Sequence, residues 1–310
     1  MSARGPGYGL GAALLAVLIW GGQLPIAKGA FAALDSWSIT LVRYGPAALV
    51  FLPLLAWTEG RGGFAMRRGQ AWLVIGSGIA MGASALLTFT GLSLTRPEIA
   101  VLILGLQPAM TAVIDWLIWR RRAPAFTLGC LVFAFLGVGI AVTHGGALLL
   151  HPTPRAAGEA SGNVLIACGA LAWVSYVLLS SRLRGWSTMR VSALTSLPAL
   201  AIVLLVWAAA GWSGATYVES ALLPAASWRL AYVSLLGVVA AMFLWNFGVG
   251  RIGALNAMLL LNLMPVITFG VRAMEGASFA ASELFGAAVV IGALMANNVY
   301  LRRQYARATA

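Results

Sequence analysis

Long apolar stretches alternate with short polar segments along almost the entire chain. Their approximate bounds are 8–30, 36–57, 70–92, 97–119, 124–143, 161–181, 190–211, 228–249, 253–271 and 281–301. A helix needs roughly 20 apolar residues to cross the core of a bilayer. Because lipid offers the backbone no hydrogen bonds, only helices or closed barrels span it. The pattern therefore predicts an all-α polytopic membrane protein with ten transmembrane helices.

Basic residues are concentrated in alternate connections between these stretches. If the N-terminus is cytoplasmic, 14 of the 20 Lys and Arg residues lie on the inner side and 5 on the outer side, and Arg43 lies inside a helix. Short cytoplasmic loops carry an excess of positive residues. We therefore expect both termini in the cytoplasm and the chain in a bacterial-type inner (plasma) membrane. The Trp residues at predicted helix ends are interpreted as interfacial anchors, namely Trp37, Trp57, Trp72, Trp119, Trp212 and Trp228.

The composition excludes a soluble domain, because 61% of the residues are hydrophobic and only 9% are charged. Soluble proteins carry about 25% charged residues. The net charge of +12 is therefore interpreted as a signal of topology rather than as a nucleic-acid footprint. We expect a small-molecule substrate and the lipid bilayer as partners, and no nucleic acid. Cys130 and Cys168 lie within apolar stretches, which predicts neither a disulfide nor a metal site, and we expect no cofactor.

The two halves of the chain resemble each other. Five pairs of residues recur at matching positions, namely Trp20 and Trp173, Pro46 and Pro198, Gly91 and Gly248, Pro108 and Pro265, and Gly129 and Gly286. The last three pairs share an offset of 157 residues. The alternative is chance similarity between helices rich in Leu, Ala and Gly. With five helices in each half, the second half must enter the membrane inverted, as in secondary transporters. The predicted organisation is a first repeat at 1–147, an outer linker at 148–160 and a second repeat at 161–310.

Five segments carry residues typical of one family. They are LLAVLIWGGQLPIAKGA (14–30), ITLVRYGPAALVF (39–51), GLSLTRPEIAVLILGLQPAMTAVIDWLIWRRRAP (91–124), GALAWVSYVLLSSRL (169–183) and IGALNAMLLLNLMPVITFGV (252–271). They resemble the drug/metabolite transporter superfamily, specifically its ten-helix EamA-type exporters. Within it, the chain is most similar to bacterial exporters of aromatic and other hydrophobic amino acids, the YddG type. The resemblance implies a basket-like fold with a central cavity lined by helices 1, 3, 4, 6, 8 and 9.

Polar and aromatic residues at mid-span are the candidates for a substrate site, because such side chains avoid lipid. The candidate substrate-binding residues are Trp20, Gln23, Ser84, Thr88, Gln107, Trp173, Tyr176, Trp245, Asn246 and Asn262. The aromatic rings could bind a substrate ring or ammonium group, or could serve only in packing. Ser and Thr could instead bond to their own helix, and Asn and Gln could hold helices together. We expect seven of them to border one cavity, namely Trp20, Gln23, Ser84, Gln107, Tyr176, Trp245 and Asn262.

Arg43 is the one basic residue placed well away from the ends of a predicted helix, about 10 Å from the start of that helix. As a functional residue it would bind a substrate carboxylate. The favoured interpretation is instead an ion pair with Asp35 or Glu98, or extension of the side chain to the membrane surface. Asp115 is interpreted as an ion-pair partner of the basic run at 120–122. No Asp, Glu or His lies plainly at the bilayer centre, which predicts transport without obligatory proton coupling.

Glycines at helical spacing predict close helix crossings within one monomer. They are Gly78 and Gly82 in the third predicted helix, and Gly129, Gly137, Gly139, Gly286 and Gly292 in the fifth and tenth. A dimer contact is the alternative for these surfaces. The favoured prediction is that the chain acts as a monomer.

Taken with the resemblance, these features predict a secondary transporter that exports small amphipathic metabolites, aromatic or hydrophobic amino acids first, by alternating access. An intramembrane enzyme would need a nucleophile–base pair or metal ligands at membrane depth, and none is evident. A channel would usually have pore loops or rings of charged residues, and neither is evident in the sequence. Sugar-phosphate or nucleotide-sugar transport would need a cation deep in the cavity, and Arg43 is the only candidate. A multidrug exporter of cations would be expected to have an acidic residue near the bilayer centre, and this sequence places none there.

Overall fold

The secondary structure of the described part of the chain is helical, with short turns and connections between the helices. The computed structural model describes residues 6–107, 110–111, 113–114, 124–143, 145, 154–252 and 260–309. Within these ranges there is no strand, apart from an isolated bridge between Leu34 and Val218. The helices are α1 (Pro6–Lys28), α2 (Ser36–Glu59), α3 (Arg68–Leu94), α4 (Pro97–Leu104), α5 (Ala125–Val142), α6 (Pro154–Ser180), α7 (Thr188–Trp212), α8 (Leu223–Ala231), α9 (Ala241–Ile252), α10 (Leu263–Met274) and α11 (Ala281–Thr309). A π-helical segment, Tyr232–Ala240, joins α8 to α9, and short 3₁₀ helices occupy Gly60–Phe64 and Ser220–Leu222.

Eight segments among the described residues are long and apolar enough to cross a membrane. They are Gly7–Lys28, Ser36–Phe64, Arg68–Leu94, Ala125–Val142, Ala156–Ser180, Thr188–Trp212, Ser220–Trp245 and Ala281–Tyr300. The helix α10 is apolar but shorter. An all-helical, polytopic architecture agrees with the sequence analysis. The predicted total of ten spans depends on 97–119 and 253–271, which the structure describes only in part, and stays a prediction.

Three helix ends differ from their predicted positions. The helix α4 ends at Leu104 and a turn follows, because Pro108 has no N–H to donate to the Leu104 carbonyl. The helix α6 begins at Pro154, where a missing N–H has no cost in the first turn. The helix α11 continues to Thr309 through a basic segment rich in Arg and Ala, both strong helix formers. Pro108, Asp115 and Trp119 lie outside the described residues.

The chain divides into two compact units, and each unit combines segments from both halves of the sequence. Unit 1 comprises Met1–Pro25, Leu94–Asn163 and Phe243–Ala310, and unit 2 comprises Ile26–Ser93 and Val164–Met242. Segments distant in the sequence therefore pack together within each unit.

Unit 2 is built on close contact of α2 and α3 with α7. Tyr44, Met81, Tyr176 and Val203 belong to one buried cluster, and Phe51, Leu55 and Leu194 belong to a second. A Cβ on Gly78 would meet the Pro198 ring and the Thr195 carbonyl, and one on Gly82 would lie 2.7 Å from the Ala199 carbonyl. The predicted close crossing at Gly78 and Gly82 is confirmed.

Unit 1 contains a close crossing of α5 and α11. A Cβ on Gly137 would lie 2.8 Å from the Gly286 carbonyl, so only glycine fits there without a shift. A Cβ on Gly129, Gly139 or Gly292 would meet nothing within 4 Å. The predicted crossing is therefore confirmed at Gly137 and Gly286, and the prediction is wrong for the other three, because they lie on helix faces away from the contact.

A network of ion pairs joins α4, α10 and α11 within unit 1. Glu98 lies 3.8 Å from an Arg96 guanidinium nitrogen and 3.3 Å from Arg272 Nε. Arg96 also pairs with Glu283, and Arg272 with Glu275 at 2.5 Å. Glu98 and Glu283 are each 1% exposed. Buried carboxylates are tolerated only when paired in this way, so the network fixes the ends of three helices relative to one another.

Candidate functional site

Two tryptophans form an aromatic pair in unit 1. The rings of Trp20 in α1 and Trp245 in α9 have centroids 5.4 Å apart and planes inclined by 51°. Such tilted pairs are a favourable arrangement of aromatic quadrupoles. Both residues were selected from the sequence as mid-span aromatics, and the structure brings them into contact.

Unsatisfied amide groups occur in the same unit. Gln23 is 6% exposed, and its Oε1 has no hydrogen-bond partner among the described residues. Asn262 precedes α10, and its buried Nδ2 likewise has no partner in the described ranges. Buried amides usually satisfy both of their polar atoms, so Gln23 Oε1 and Asn262 Nδ2 stay candidates for hydrogen bonds to a ligand.

The α1–α10 contact holds Gln23 in position. The Thr268 hydroxyl donates a 2.6 Å hydrogen bond to the Gly21 carbonyl, and a Cβ on Gly21 would clash with Ile267 at 2.7 Å. Sequence reasoning missed Thr268. Its position 157 residues after Thr111 repeats the offset between the two halves and was a usable signal.

The surroundings of the remaining candidates of unit 1, Gln107 and Asn246, are described only in part. Gln107 is half-buried, and its backbone carbonyl accepts the Thr111 hydroxyl at 2.8 Å. Thr111 thus bonds to its own helix backbone, as the alternative interpretation of single Ser and Thr residues expects. The backbone of Asn246 lies in α9, and its side chain lies outside the described residues.

In unit 2, Trp173 and Tyr176 of α6 form a second aromatic pair, with ring centroids 5.0 Å apart and planes inclined by 46°. Tyr176 is only 7% exposed. It belongs to the buried cluster that also contains Tyr44, whose hydroxyl donates to the Met81 carbonyl at 3.4 Å. Sequence patterns alone do not predict that Tyr44 and Tyr176 share one cluster, because the two residues lie on helices from different halves of the chain.

Ser84 and Thr88 lie at a tight helix crossing rather than on an open surface. Both are buried in α3, where a Cβ on Gly169 of α6 would lie 2.5 Å from Thr88 Oγ1 and 3.1 Å from the Ser84 carbonyl. The two residues therefore pack against α6 beside the Trp173–Tyr176 pair. Whether they and the other candidates border one cavity stays a prediction.

Arg43 is buried in unit 2 without an ion pair among the described residues. Asp35 caps α2, accepting from Trp37 N and Ser38 N at 2.9 and 2.8 Å. Glu98 is paired with arginines of its own unit. The favoured prediction, that Arg43 pairs with Asp35 or Glu98 or extends outward, is therefore wrong, because both acids are committed elsewhere and Arg43 is only 9% exposed.

The guanidinium of Arg43 is instead covered by aromatic rings. Its Cζ lies 4.2 Å from the centroid of the Phe89 ring and 5.9 Å from that of Tyr44. The sequence could not reveal the Phe89 contact, since an apolar residue in a membrane helix gives no sign of the cation it covers.

Titratable side chains do not assemble into a metal site within the described ranges, where no three His, Cys, Asp or Glu residues come together. Cys130 is buried and Cys168 is exposed, and both thiols are free. Trp57, Trp72, Trp212 and Trp228 are exposed near helix ends, as interfacial anchors require. Trp37 differs, because it packs against the Tyr44–Tyr176 cluster.

Comparison with known proteins identifies related transporters. A model of the EamA-like transporter family matches residues 7–143 and again residues 160–299. The chain is 27% identical over 296 residues to "Uncharacterized transporter YrdR" of Bacillus subtilis (strain 168), covering 94% of this chain and 91% of the relative. It is 29% identical over 260 residues to "Uncharacterized transporter YyaM" of the same organism, covering 83% of each. A solved structure titled only "Crystal structure of protein" matches with a TM-score of 0.62 at 20% identity, over 95% of this chain and 98% of its own, which supports the fold alone.

Proposed function

The chain belongs to the EamA-like transporter family, and from this premise we propose that it is a secondary transporter exporting small amphipathic metabolites, with aromatic and hydrophobic amino acids as its substrates. The observation that carries the proposal is the Trp20–Trp245 pair in the unit that also holds the unsatisfied amides of Gln23 and Asn262. Aromatic faces accept an apolar ring or an ammonium group, and amides bind polar substituents.

The second aromatic pair supports the same substrate class. Trp173 and Tyr176 offer unit 2 an aromatic surface in which Tyr176 is held by the buried cluster that contains Tyr44. Rigid aromatic side chains give large contact areas at a low entropic cost, which suits the recognition of an amphipathic molecule. Substrates with no apolar body would gain little from either pair.

The proposed mechanism is alternating access by two inverted five-helix repeats. The support is that one family model matches the chain twice, once in each half, together with the residue pairs that recur at an offset of 157. A carrier of this kind exposes its site to one side of the membrane at a time, and a ligand shifts it only by differing affinity for its states. We place it in the inner membrane with both termini in the cytoplasm, from the distribution of Arg and Lys.

Counterflow in proteoliposomes tests the proposal. Vesicles containing the purified protein and unlabelled phenylalanine should accumulate labelled phenylalanine, tryptophan and leucine, and should not accumulate a sugar phosphate or a hydrophobic cation. If the vesicles accumulate the sugar phosphate or the hydrophobic cation but no amino acid, the proposed substrate class is wrong and the accumulated compound indicates the correct class.

Matched variants link transport to the aromatic pairs. Trp245→Ala and Tyr176→Ala should lower the initial counterflow rate per folded protein about tenfold or more, the effect of losing roughly 1.4 kcal/mol of binding. Trp212→Ala is the control, because Trp212 is 95% exposed at the end of α7. Equal losses of rate and folded yield in the site variants would favour a packing role.

A further inference from the structure

Arg43 is a buried cation within a membrane-spanning helix. It lies in the second turn of α2, inside the candidate span Ser36–Phe64, and is 9% exposed. Its Nε has no hydrogen-bond partner among the described residues. A guanidinium at membrane depth normally pairs with an anion or reaches water, since leaving it unpaired there is costly.

Unit 2 contains three acids, Asp35, Glu59 and Glu219, and all three are described. Asp35 accepts from Ser38 Oγ at 2.7 Å and from Tyr217 N at 3.0 Å, in addition to its two capping bonds. Glu59 accepts the Ser187 hydroxyl at the other end of α2. Glu219 lies in the segment bonded to Ala33. Among the described residues, none makes an ion pair with Arg43.

The aromatic rings around Arg43 satisfy only the face of the guanidinium. A ring face attracts the planar cation, with Phe89 at 4.2 Å. The N–H edge carries the hydrogen-bond donors, and it matches the two oxygens of a carboxylate. The same unit holds the Tyr44–Tyr176 cluster and its neighbour Trp173. A cation with an unsatisfied edge beside an aromatic cluster is complementary to an anion that carries an aromatic or apolar body.

We infer that Arg43 binds the carboxylate of the transported substrate, so that the substrates are carboxylates with an aromatic or apolar body. This rests on the proposed function and deepens it, because it selects amino acids and aryl carboxylates over the corresponding amines. Arg43 is covered in the conformation described, and the substrate-loaded conformation exposes its N–H edge. The carboxylate then supplies the ion-pair partner that Arg43 lacks among the described residues.

The test compares ligands that differ only in the anionic group. Phenylalanine, 3-phenylpropionate, 2-phenylethylamine and phenyl phosphate are each added as competitors of phenylalanine counterflow, and as ligands in a thermal-unfolding assay of the purified full chain. In the unaltered protein, both carboxylates should compete and raise the unfolding temperature. The amine should be weaker by about tenfold or more, because it lacks the group that Arg43 binds.

Variants of Arg43 test whether this residue causes the preference for carboxylates over the amine. Arg43→Gln should raise the KM for phenylalanine about tenfold or more and remove the preference for carboxylate over amine, whereas Arg43→Lys should retain part of that preference. Arg251→Gln is the matched control, since Arg251 also stacks on a phenylalanine, Phe247, at 3.4 Å but is exposed. It should leave both KM and preference unchanged.

Each outcome decides the inference. Equal binding of amine and carboxylate by the unaltered protein overturns it even if Arg43→Gln does not fold. A preference for carboxylate that survives in Arg43→Gln also overturns it, and tighter binding of phenyl phosphate than of either carboxylate reassigns the site to phosphate. If 3-phenylpropionate binds through Arg43 while no amino acid is transported, the amino-acid proposal fails and the carboxylate site stands. If no carboxylate binds, both fail.

Discussion

The carboxylate of Asp35 accepts the backbone N–H of Tyr217 at 3.0 Å while it caps α2. The same side chain accepts from Ser38 Oγ, which in turn accepts the indole N–H of Trp207 at 3.1 Å. Asp35 also donates its own N–H to the Tyr217 carbonyl at 3.4 Å. One buried residue therefore joins the start of α2 to the segment that follows α7, within unit 2.

Replacing Asp35 by Ala should destabilise the protein markedly. The change removes the cap of α2 and leaves the Tyr217 and Ser38 donors without an acceptor, which should lower the free energy of unfolding by about 2 kcal/mol or more. Thermal unfolding in detergent measures this. Asp35→Asn keeps one carbonyl oxygen for the cap and should lose less, and equal losses in the two variants would contradict the account.

The helical architecture could be predicted from the sequence because apolar length dictates it, but the partners of individual residues could not. Trp20 and Trp245 were selected by their depth, and the structure shows that they touch. The ion pair expected for Arg43 is absent from the described residues because Asp35 caps α2 and also accepts from Tyr217 N, a second contact that only the fold of the 213–219 segment reveals. Periodicity reports which residues avoid lipid, and not which neighbour they meet.

The π-helical segment shows a second limit of the sequence. The stretch 228–249 was predicted as one continuous helix, and the structure has α8, a π segment at Tyr232–Ala240, and α9. A π turn adds one residue per hydrogen-bonded ring, which leaves the apolar composition unchanged. Composition therefore could not distinguish the two conformations.

Gly137 and Gly139 offer a matched pair on α5. Gly137→Ala should lower the free energy of unfolding by about 1–3 kcal/mol, because the new Cβ would meet backbone atoms of α11 at 2.8 and 3.0 Å. Gly139→Ala should be neutral or stabilising by about 0.5–1 kcal/mol, because that Cβ meets nothing within 4 Å. Thermal unfolding in lipid nanodiscs compares them, and equal shifts would show that α5 and α11 do not cross at Gly137.

Arg96 is expected to be essential for the stability of unit 1. Arg96→Gln removes a guanidinium that pairs with Glu283, which is 1% exposed, and breaking such a buried pair costs about 3 kcal/mol or more. Adding Glu283→Gln removes the carboxylate of that pair and should restore a large part of the loss. A double-mutant cycle by chemical unfolding measures this, and additive losses would show that the two side chains do not interact.

Both termini are expected on the cytoplasmic side. In a variant lacking Cys130 and Cys168, a cysteine at Ala157, which is exposed near the start of α6, should react with an impermeant thiol reagent from outside the cell. A cysteine at Gly62, in the 3₁₀ helix after α2, should react only after the membrane is opened. The reason is the 14-to-5 distribution of basic residues. Reversed labelling would invert the topology and the orientation of both predicted repeats.

Transport is expected to proceed without obligatory proton coupling. Glu98, a buried acid near the end of a predicted span, is held by both Arg96 and Arg272, so its protonation would break two ion pairs. A proton drives a carrier only through differing affinity for the two states of that carrier. Net flux of phenylalanine should therefore follow its own gradient at equal pH on both sides of the vesicle. Glu98→Gln, and Asp115→Asn in the segment outside the described residues, should leave the pH independence unchanged. Concentrative transport that appears only with an imposed pH gradient, and disappears in either variant, would establish proton coupling instead.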